Sequence, residues 1–284
     1  MISRATLSDL APHYTAIFCD VWGVIRDGYA LIPDAVKALQ RYRAEGGTVC
    51  LVSNSPRRAP SLLHSLEEMG LPDDATDTVV TSGDAIYAEL VARAPGKALR
   101  IGPDWDDALY AGLGLEFVSV EEAQFITCTG PDDYWNGKPE DYDAVLKIAL
   151  ERKLDLVCAN PDIVVQAGDR LIYCAGAIAR HYRNMGGTSI VAGKPHRPIY
   201  GLAFEALKAV GWSGSAEQVL AIGDGPETDI AGADRAGIDA LFIADGILGA
   251  EMQDDGFDPE AVALSLSGYG VAARWGARQL VWSD

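Results

Sequence analysis

Several apolar stretches of the chain end in side chains that can bind a cation or a phosphoryl group. These side chains are Asp20, Ser53, Asn54, Ser55, Lys194 and Asp224. Short apolar runs rich in β-forming residues, such as TAIFC before Asp20 and QVLAIG before Asp224, predict buried parallel strands. Ligands of open α/β sheets bind beyond the carboxyl ends of such strands. We therefore expect these groups to converge at one edge of a sheet.

Asp20 and Asp224 have the chemistry of a magnesium site. Two converging carboxylates repel each other unless a cation neutralises them, and Mg²⁺ prefers oxygen ligands together with a substrate phosphate. Asp229 stands at a predicted helix start, where it either holds a metal-bound water or caps the helix. The Lys194 charge and the Ser53 hydroxyl would bind phosphoryl oxygens. A carboxylate would then act as the nucleophile, forming an aspartyl-phosphate that water cleaves.

The elements around these residues alternate between strand and helix patterns. The strand-like segments TVCLVSN and TVVTS follow the first strand, and the alternation resumes at SIVAG and continues to ALFIAD. This order predicts an α/β fold with a doubly wound parallel sheet. The intervening residues have their own strand and helix patterns. We therefore predict a core formed by 1–83 and 187–284, with an inserted α/β cap domain at 84–186.

Four ordered motifs carry a family resemblance. DVWGV at Asp20, the strand-ending LVSNS, GKPxxP at Lys194 and GDGPETD at Gly223 resemble the motifs of the haloacid dehalogenase (HAD) superfamily. With an insert between the second and third motifs, the chain is similar to class IIA, which contains p-nitrophenyl, pyridoxal-phosphate and sugar phosphatases. TSGDA at 81–85 and CANPD at 158–162 also resemble class IIA stretches. The resemblance implies a HAD-like Rossmannoid core and a phosphatase.

The resemblance also implies roles for individual residues. Asp20 would be both nucleophile and Mg²⁺ ligand, Trp22 would give its backbone carbonyl to the ion, and Asp224 would be the other protein ligand, with Asp229 nearby. Ser53 and the groups around Asn54 and Ser55 would bind phosphate, and Lys194 would hold nucleophile and phosphoryl group together. Asn160 and Asp162, in the predicted cap, would face the substrate. The Trp22 side chain either closes the pocket against water or stacks on a planar substrate.

Trp22 is a departure from the family pattern. Family phosphatases carry a second Asp at this position, which protonates the leaving oxygen and later activates water, and an indole cannot do this. General acid–base catalysis contributes about 10²–10⁴-fold. Three interpretations follow: a phosphatase in which Asp27 or Glu227 substitutes or the leaving group needs no acid; different chemistry, such as dehalogenation; or a protein that binds Mg²⁺ and a phosphorylated ligand with little or no turnover.

Composition narrows the class of partner. Acidic residues outnumber basic ones 41 to 23, for a net charge of −18, and no Lys/Arg run is present. We expect a small phosphorylated metabolite and no nucleic-acid or membrane partner. Five cysteines without CxxC spacing predict buried thiols, and the absence of a signal-like start or a long apolar span predicts a cytoplasmic protein. Four residues near the carboxyl end either finish the core or form a homodimer face: Tyr269, Trp275, Leu280 and Trp282.

Overall fold

The computed structural model describes residues 2–167, 170–247 and 257–283, and its strands form two parallel sheets and a hairpin. The strands are β1 Ser3–Arg4, β2 Ala16–Cys19, β3 Thr48–Ser53, β4 Thr78–Thr81, β5 Gly96–Ile101, β6 Leu115–Phe117, β7 Phe125–Cys128, β8 Asp155–Cys158, β9 Val164–Ala167, β10 Arg170–Tyr173, β11 Thr188–Val191, β12 Val219–Gly223, β13 Asp239–Ile243 and β14 Trp275–Ala277. The α-helices are α1 Leu7–Leu10, α2 Pro33–Ala44, α3 Ala59–Glu68, α4 Ser82–Val91, α5 Asp143–Glu151, α6 Ala175–Asn184, α7 Arg197–Ala209, α8 Ala231–Ala236 and α9 Pro259–Gly268.

The core sheet has the order β1-β14-β13-β12-β2-β3-β4, and every neighbouring pair is parallel. Successive residues of a strand point to opposite faces. In β2, Ile17 and Cys19 pack with α1, α2 and α3, whereas Ala16 and Phe18 pack with α7, α8 and α9. Because both faces are covered, the strand is apolar throughout and places Asp20 just beyond its carboxyl end. The predicted doubly wound α/β sheet is confirmed.

The second sheet has the order β11-β8-β7-β5-β6 and is also parallel throughout. Helices α5 and α6 cover one face, where Leu146 and Ile178 are fully buried. Helix α4 covers the other face through Ile86 and Leu90. The predicted second α/β unit is therefore present, and α4 links it to the core sheet because this helix begins directly after β4.

The prediction that the SIVAG strand rejoins the core sheet is wrong. This strand is β11, and it pairs with β8 in the second sheet, with Ser189 opposite Leu156. The physical reason is that β8, α6 and β11 form a strand–helix–strand unit, which normally returns the chain to a neighbouring position in the same sheet. The second sheet thus extends past the boundary at 186, and the division into 1–83, 84–186 and 187–284 stays a prediction.

The chain also contains elements that the strand patterns did not predict. The antiparallel hairpin of β9 and β10 stands apart from both sheets, and β1 and β14 form the core-sheet edge. Leu280 is buried in the core, and Trp275 and Trp282 pack against it, whereas Tyr269 is exposed. The five cysteines are buried and free, as predicted. Across the described ranges, no helix has both the length and the apolar character needed to traverse a bilayer.

Candidate active site

Three carboxylates meet beyond the carboxyl ends of two adjacent core strands. Asp20 follows β2 and Asp224 follows β12, and the Asp20 backbone N–H continues the ladder between them by donating to the Ile222 carbonyl at 2.8 Å. Asp229 lies in the π-helical turn Pro226–Ile230 before α8. All three side chains are buried, and each offers an oxygen within 4.8 Å of the others. The fold therefore brings together three residues that the sequence assigned to a metal site.

Lys194 connects two of these carboxylates. Its Nζ donates to Oδ1 of Asp20 and to Oδ1 of Asp229, each at 2.7 Å, and the residue is only 3% exposed. Asn54 fixes the lysine backbone, because its Oδ1 accepts from the Lys194 N–H at 2.8 Å and its Nδ2 donates to the Lys194 carbonyl at 3.2 Å. The ammonium group is thus held at the cluster by contacts to both its side chain and its main chain.

The charges of the cluster do not balance. Burial, helped by repulsion from Asp229 and Asp224, raises the pKa of Asp20 well above its ordinary value against the opposing effect of Lys194. Burial and Asp229 raise the pKa of Asp224 to about 7. Burial alone would lower the pKa of Lys194, but the neighbouring carboxylates outweigh it and raise that pKa well above the usual range. One fixed cation thus faces three carboxylates, and this donor set suits a divalent ion with oxygen ligands.

Asp224 is held between two glycines. A Cβ at Gly23 would lie 2.2 Å from Asp224 Oδ2, and one at Gly246 would lie 2.1 Å from the same oxygen. Gly23 also has φ of +82°, which favours glycine. The Ile247 N–H donates to Asp224 Oδ2 at 2.7 Å. The Asp224 carboxylate can therefore take this orientation because neither Gly23 nor Gly246 carries a side chain that would occupy the same space.

A Gly23→Ala variant should bind Mg²⁺ about 10–100-fold more weakly, the usual effect of disturbing a group that orients a metal ligand. The new methyl group would displace the Asp224 carboxylate. Isothermal titration with Mg²⁺ would measure the change. Gly70→Ala is the matched control, because Gly70 has φ of +94° but nothing within 4 Å of a Cβ. Unchanged Mg²⁺ affinity in Gly23→Ala would show that the position of the Asp224 carboxylate does not depend on Gly23.

Two adjoining cavities open above the cluster. The first, of about 300 Å³, contains the cluster and is bounded by Asp224 and Asp229 among others. The second, of about 490 Å³, lies between the core loops and the second α/β unit and is lined by Ser53, Ser55 and Asn160. The described residues that line both cavities are Trp22, Arg26, Asp162 and Val165. These four residues mark the junction between the metal-site cavity and the larger cleft.

The Trp22 side chain is fixed at this junction. Its Nε1 donates to the Gln166 carbonyl of β9 at 2.7 Å, and the Arg26 guanidinium lies over the indole ring, with Cζ 4.4 Å from the centroid. Asp27, proposed as a substitute acid, accepts from the Tyr29 and Ala30 N–H groups at 2.7 and 2.8 Å, as in a turn. These bonds lower its pKa.

The remaining predicted residues lie in different surroundings. Glu227, the second proposed substitute acid, is exposed and borders neither cavity. Ser53 Oγ accepts from the Ser55 N–H at 3.1 Å. Asn54 lies under the cleft, where it also donates to Asp162 Oδ1 at 2.7 Å. The roles of these residues in binding substrate stay predictions.

The sequence analysis missed groups that the structure places at the cleft. Arg57 and the buried Asp106 line its wall with a 3.7 Å ion pair, and Arg26 stacks on Trp22. The hairpin that covers Trp22 was also missed. A usable signal existed for Gly23, because a glycine directly after a predicted site residue often marks a close approach of other atoms.

Comparisons with known proteins agree with this architecture. Residues 17–116 match the haloacid dehalogenase-like hydrolase family model, and residues 191–268 match a HAD-hydrolase-like model. A solved structure of a haloacid dehalogenase-like family hydrolase from Brucella suis 1330 is 41% identical, with a TM-score of 0.86 and coverage of 99% of this chain and 100% of that one. The chain belongs to the haloacid dehalogenase-like hydrolase family, in its class IIA branch, and the resemblance inferred from the motifs is confirmed.

Two curated proteins are more distant relatives. Ribonucleotide monophosphatase NagD from Escherichia coli K12 is 24% identical over 238 residues, which cover 81% of this chain and 88% of NagD. Chronophin from Rattus norvegicus is 26% identical over 266 residues, which cover 87% of this chain and 82% of chronophin. The similarity therefore spans both the core sheet and the second α/β unit.

Proposed function

We propose that the protein is a Mg²⁺-dependent phosphohydrolase that cleaves a small phosphorylated metabolite through an aspartyl-phosphate on Asp20. The observation that carries this proposal is the buried lysine: Lys194 Nζ contacts Asp20 and Asp229 at 2.7 Å each, and these two carboxylates line a cavity together with Asp224. A carboxylate, an ammonium group and further metal-binding oxygens at one point are the groups that phosphoryl transfer to a carboxylate requires.

Each residue of the cluster would have a distinct role. Lys194 fixes the Asp20 carboxylate and would attract the equatorial oxygens of the phosphoryl group. Asp20, Asp224 and Asp229, together with the Trp22 carbonyl, would hold Mg²⁺. The ion, when bound, would neutralise negative charge on the phosphoryl oxygens. The Asp20 oxygen would attack phosphorus, and the enclosed cavity would limit access of bulk water to the acyl phosphate.

The substrate class follows from the size and charge of the site. Cavities of about 300 and 490 Å³ are in the range that holds a metabolite. Ser53 and Ser55 on the cleft wall offer hydroxyl donors for oxygen atoms of the substrate. The NagD relative is named a ribonucleotide monophosphatase, which supports a small phosphorylated substrate for this chain. A net charge of −18 disfavours polyanionic partners. We also propose a cytoplasmic location.

A second candidate function rests on Trp22. The indole N–H of Trp22 donates a hydrogen bond to the Gln166 carbonyl. An indole does not give up a proton to a leaving oxygen. A chain without any substitute acid would bind Mg²⁺ and a phosphorylated ligand but turn it over slowly. Dehalogenation is the less favoured alternative, because a cluster of three buried carboxylates suits a cation that this reaction does not need.

Phosphate release with Mg²⁺ or with EDTA would test the proposal. The panel contains p-nitrophenyl phosphate, an acyl phosphate, and sugar and cofactor phosphates. We expect release from at least one substrate with Mg²⁺ and loss of that release in EDTA, because the carboxylate cluster then lacks its counter-ion. Binding of a phosphorylated ligand without release would favour the second candidate, and halide release from a haloacid would favour dehalogenation.

A further inference from the structure

A phosphohydrolase of this kind must give a proton to the oxygen that leaves. An alkyl phosphate would otherwise expel an alkoxide, which is a poor leaving group. Trp22 lies at the junction of the two cavities but has no acidic proton. Asp27 is held in its own turn with a lowered pKa, and Glu227 is exposed away from both cavities. The proton donor must therefore be sought elsewhere along the cavity wall.

The two cavities show where the leaving oxygen would lie. The phosphoryl group would lie beside Asp20, which lines the first cavity, and the rest of the substrate would occupy the larger cleft. The bond that breaks is then at the junction. Among the described residues lining both cavities, Asp162 supplies the carboxyl group; the others are Trp22, Arg26 and Val165.

Asp162 is also held firmly relative to the lysine. Its Oδ1 accepts from Asn54 Nδ2 at 2.7 Å, and the same asparagine makes two bonds to the Lys194 backbone. Pro161 lies against Gly193, where a Cβ would come within 2.8 Å of the proline Cγ. The segment bearing Asp162 is thus fastened to the turn that positions Lys194.

The electrostatic surroundings suit proton exchange near neutral pH. Burial raises the pKa of Asp162 to about 6, against the opposing effects of Lys194 and the Asn54 hydrogen bond. The other titratable groups that influence it or respond to it are Asp229 and Asp224 from the core and Cys158 and Cys174 from its own unit. An acid with this pKa is partly protonated at neutral pH, which is the condition for both donating and accepting a proton.

We propose that Asp162 is the general acid and base of this enzyme and takes the role of the second Asp that Trp22 replaces. The assignment rests on the proposed phosphohydrolase function. An Asp20 oxygen forms a bond to phosphorus, the bond from phosphorus to the substrate oxygen breaks with its electron pair on that oxygen, and the Asp162 proton goes to it. Water then attacks phosphorus, its proton returns to Asp162, and the electron pair of the acyl-phosphate bond returns to Asp20.

Leaving-group dependence in Asp162→Asn would test this assignment. Asparagine keeps an oxygen that can accept from Asn54 but has no proton to give. Because the later attack of water is common to all substrates, the two substrates are compared by release of the leaving group in a single turnover. This release should fall by about 10²–10⁴-fold for an alkyl phosphate. For p-nitrophenyl phosphate, whose leaving group needs little protonation, it should fall by less than about tenfold. Asp162→Ala, which also removes the contact to Asn54, should lower turnover of both substrates. Asp27→Asn is the matched control and should keep the wild-type ratio between the two.

The outcomes separate the assignment from the function it rests on. Equal losses of single-turnover leaving-group release from the two substrates in Asp162→Asn, or no loss from either, would overturn the acid–base role. A selective loss in Asp27→Asn instead would assign the proton to Asp27. If the wild-type protein releases no Mg²⁺-dependent phosphate from either substrate, the proposed function itself fails and the assignment falls with it.

Discussion

An Asp20→Asn variant is expected to lose phosphate release on the order of 10⁴–10⁶-fold, the range seen when a hydrolase loses its covalent nucleophile. The amide has the shape of the carboxylate but cannot attack phosphorus to form the acyl phosphate. It would also weaken the proposed Mg²⁺ site, because the amide has one oxygen fewer and no negative charge. Because the substitution adds no atoms to a buried position, the fold should survive, as circular dichroism would verify.

Glu227→Gln is a suitable control for this experiment. It makes the same change from carboxylate to amide, but on an exposed side chain that borders neither cavity. We expect its turnover to match the wild-type protein. A folded Asp20→Asn protein that still releases phosphate at the wild-type rate would exclude Asp20 as the nucleophile, and trapping of labelled phosphate on acid-quenched wild-type protein would provide independent support for the acyl phosphate.

A Lys194→Met variant is expected to lose both turnover and stability. Removing one partner of a buried ion pair costs about 3–5 kcal/mol of unfolding free energy, because the remaining charge stays buried without compensation. Here Asp20 and Asp229 would both lose the ammonium group that they contact at 2.7 Å. Urea unfolding in EDTA would measure the loss. Added Mg²⁺ should restore part of it, because a cation that binds the folded cluster stabilises that state by mass action.

Lys208→Met makes the same chemical change in an exposed pair. Lys208 contacts Glu205 at 2.9 Å with most of both side chains in solvent, and surface pairs contribute about 0–1 kcal/mol. Similar unfolding free energies for the two methionine variants would show that the buried lysine is not compensating the carboxylates. Greater stability of Lys194→Met in EDTA than in Mg²⁺ would likewise show that a bound cation does not compensate the buried carboxylates.

The parts of the fold that the sequence predicts are those governed by local rules. Apolar runs identified β2, β3 and β12, because a strand covered on both faces needs apolar residues at every position. The same pattern predicted that Asp20 and Asp224 lie at one edge of the sheet. It does not say which of two sheets a strand joins, and so β11 was assigned to the wrong one.

The other omissions depend on contacts between distant segments. Asn54 and Asp162 are separated by 108 positions, and no periodicity relates them. The runs VVQA and RLIY around Gly168-Asp169 match a hairpin pattern in the sequence, but the contact between this hairpin and the Trp22 indole joins segments far apart in the chain. From the sequence, Asp229 could either hold a metal-bound water or cap a helix. In the structure it lies in a π-helical turn, and its carboxylate contacts Lys194.

Asn54 has a consequence for how the protein responds to its substrate. Through one amide group it contacts Asp162, on the second α/β unit, and the main chain of Lys194, which lies against the core carboxylates. Any displacement of the 160–162 segment by a ligand in the cleft would therefore be transmitted to the lysine backbone. The position of the ammonium group would in this way be coupled to occupancy of the cleft through the side chain of Asn54.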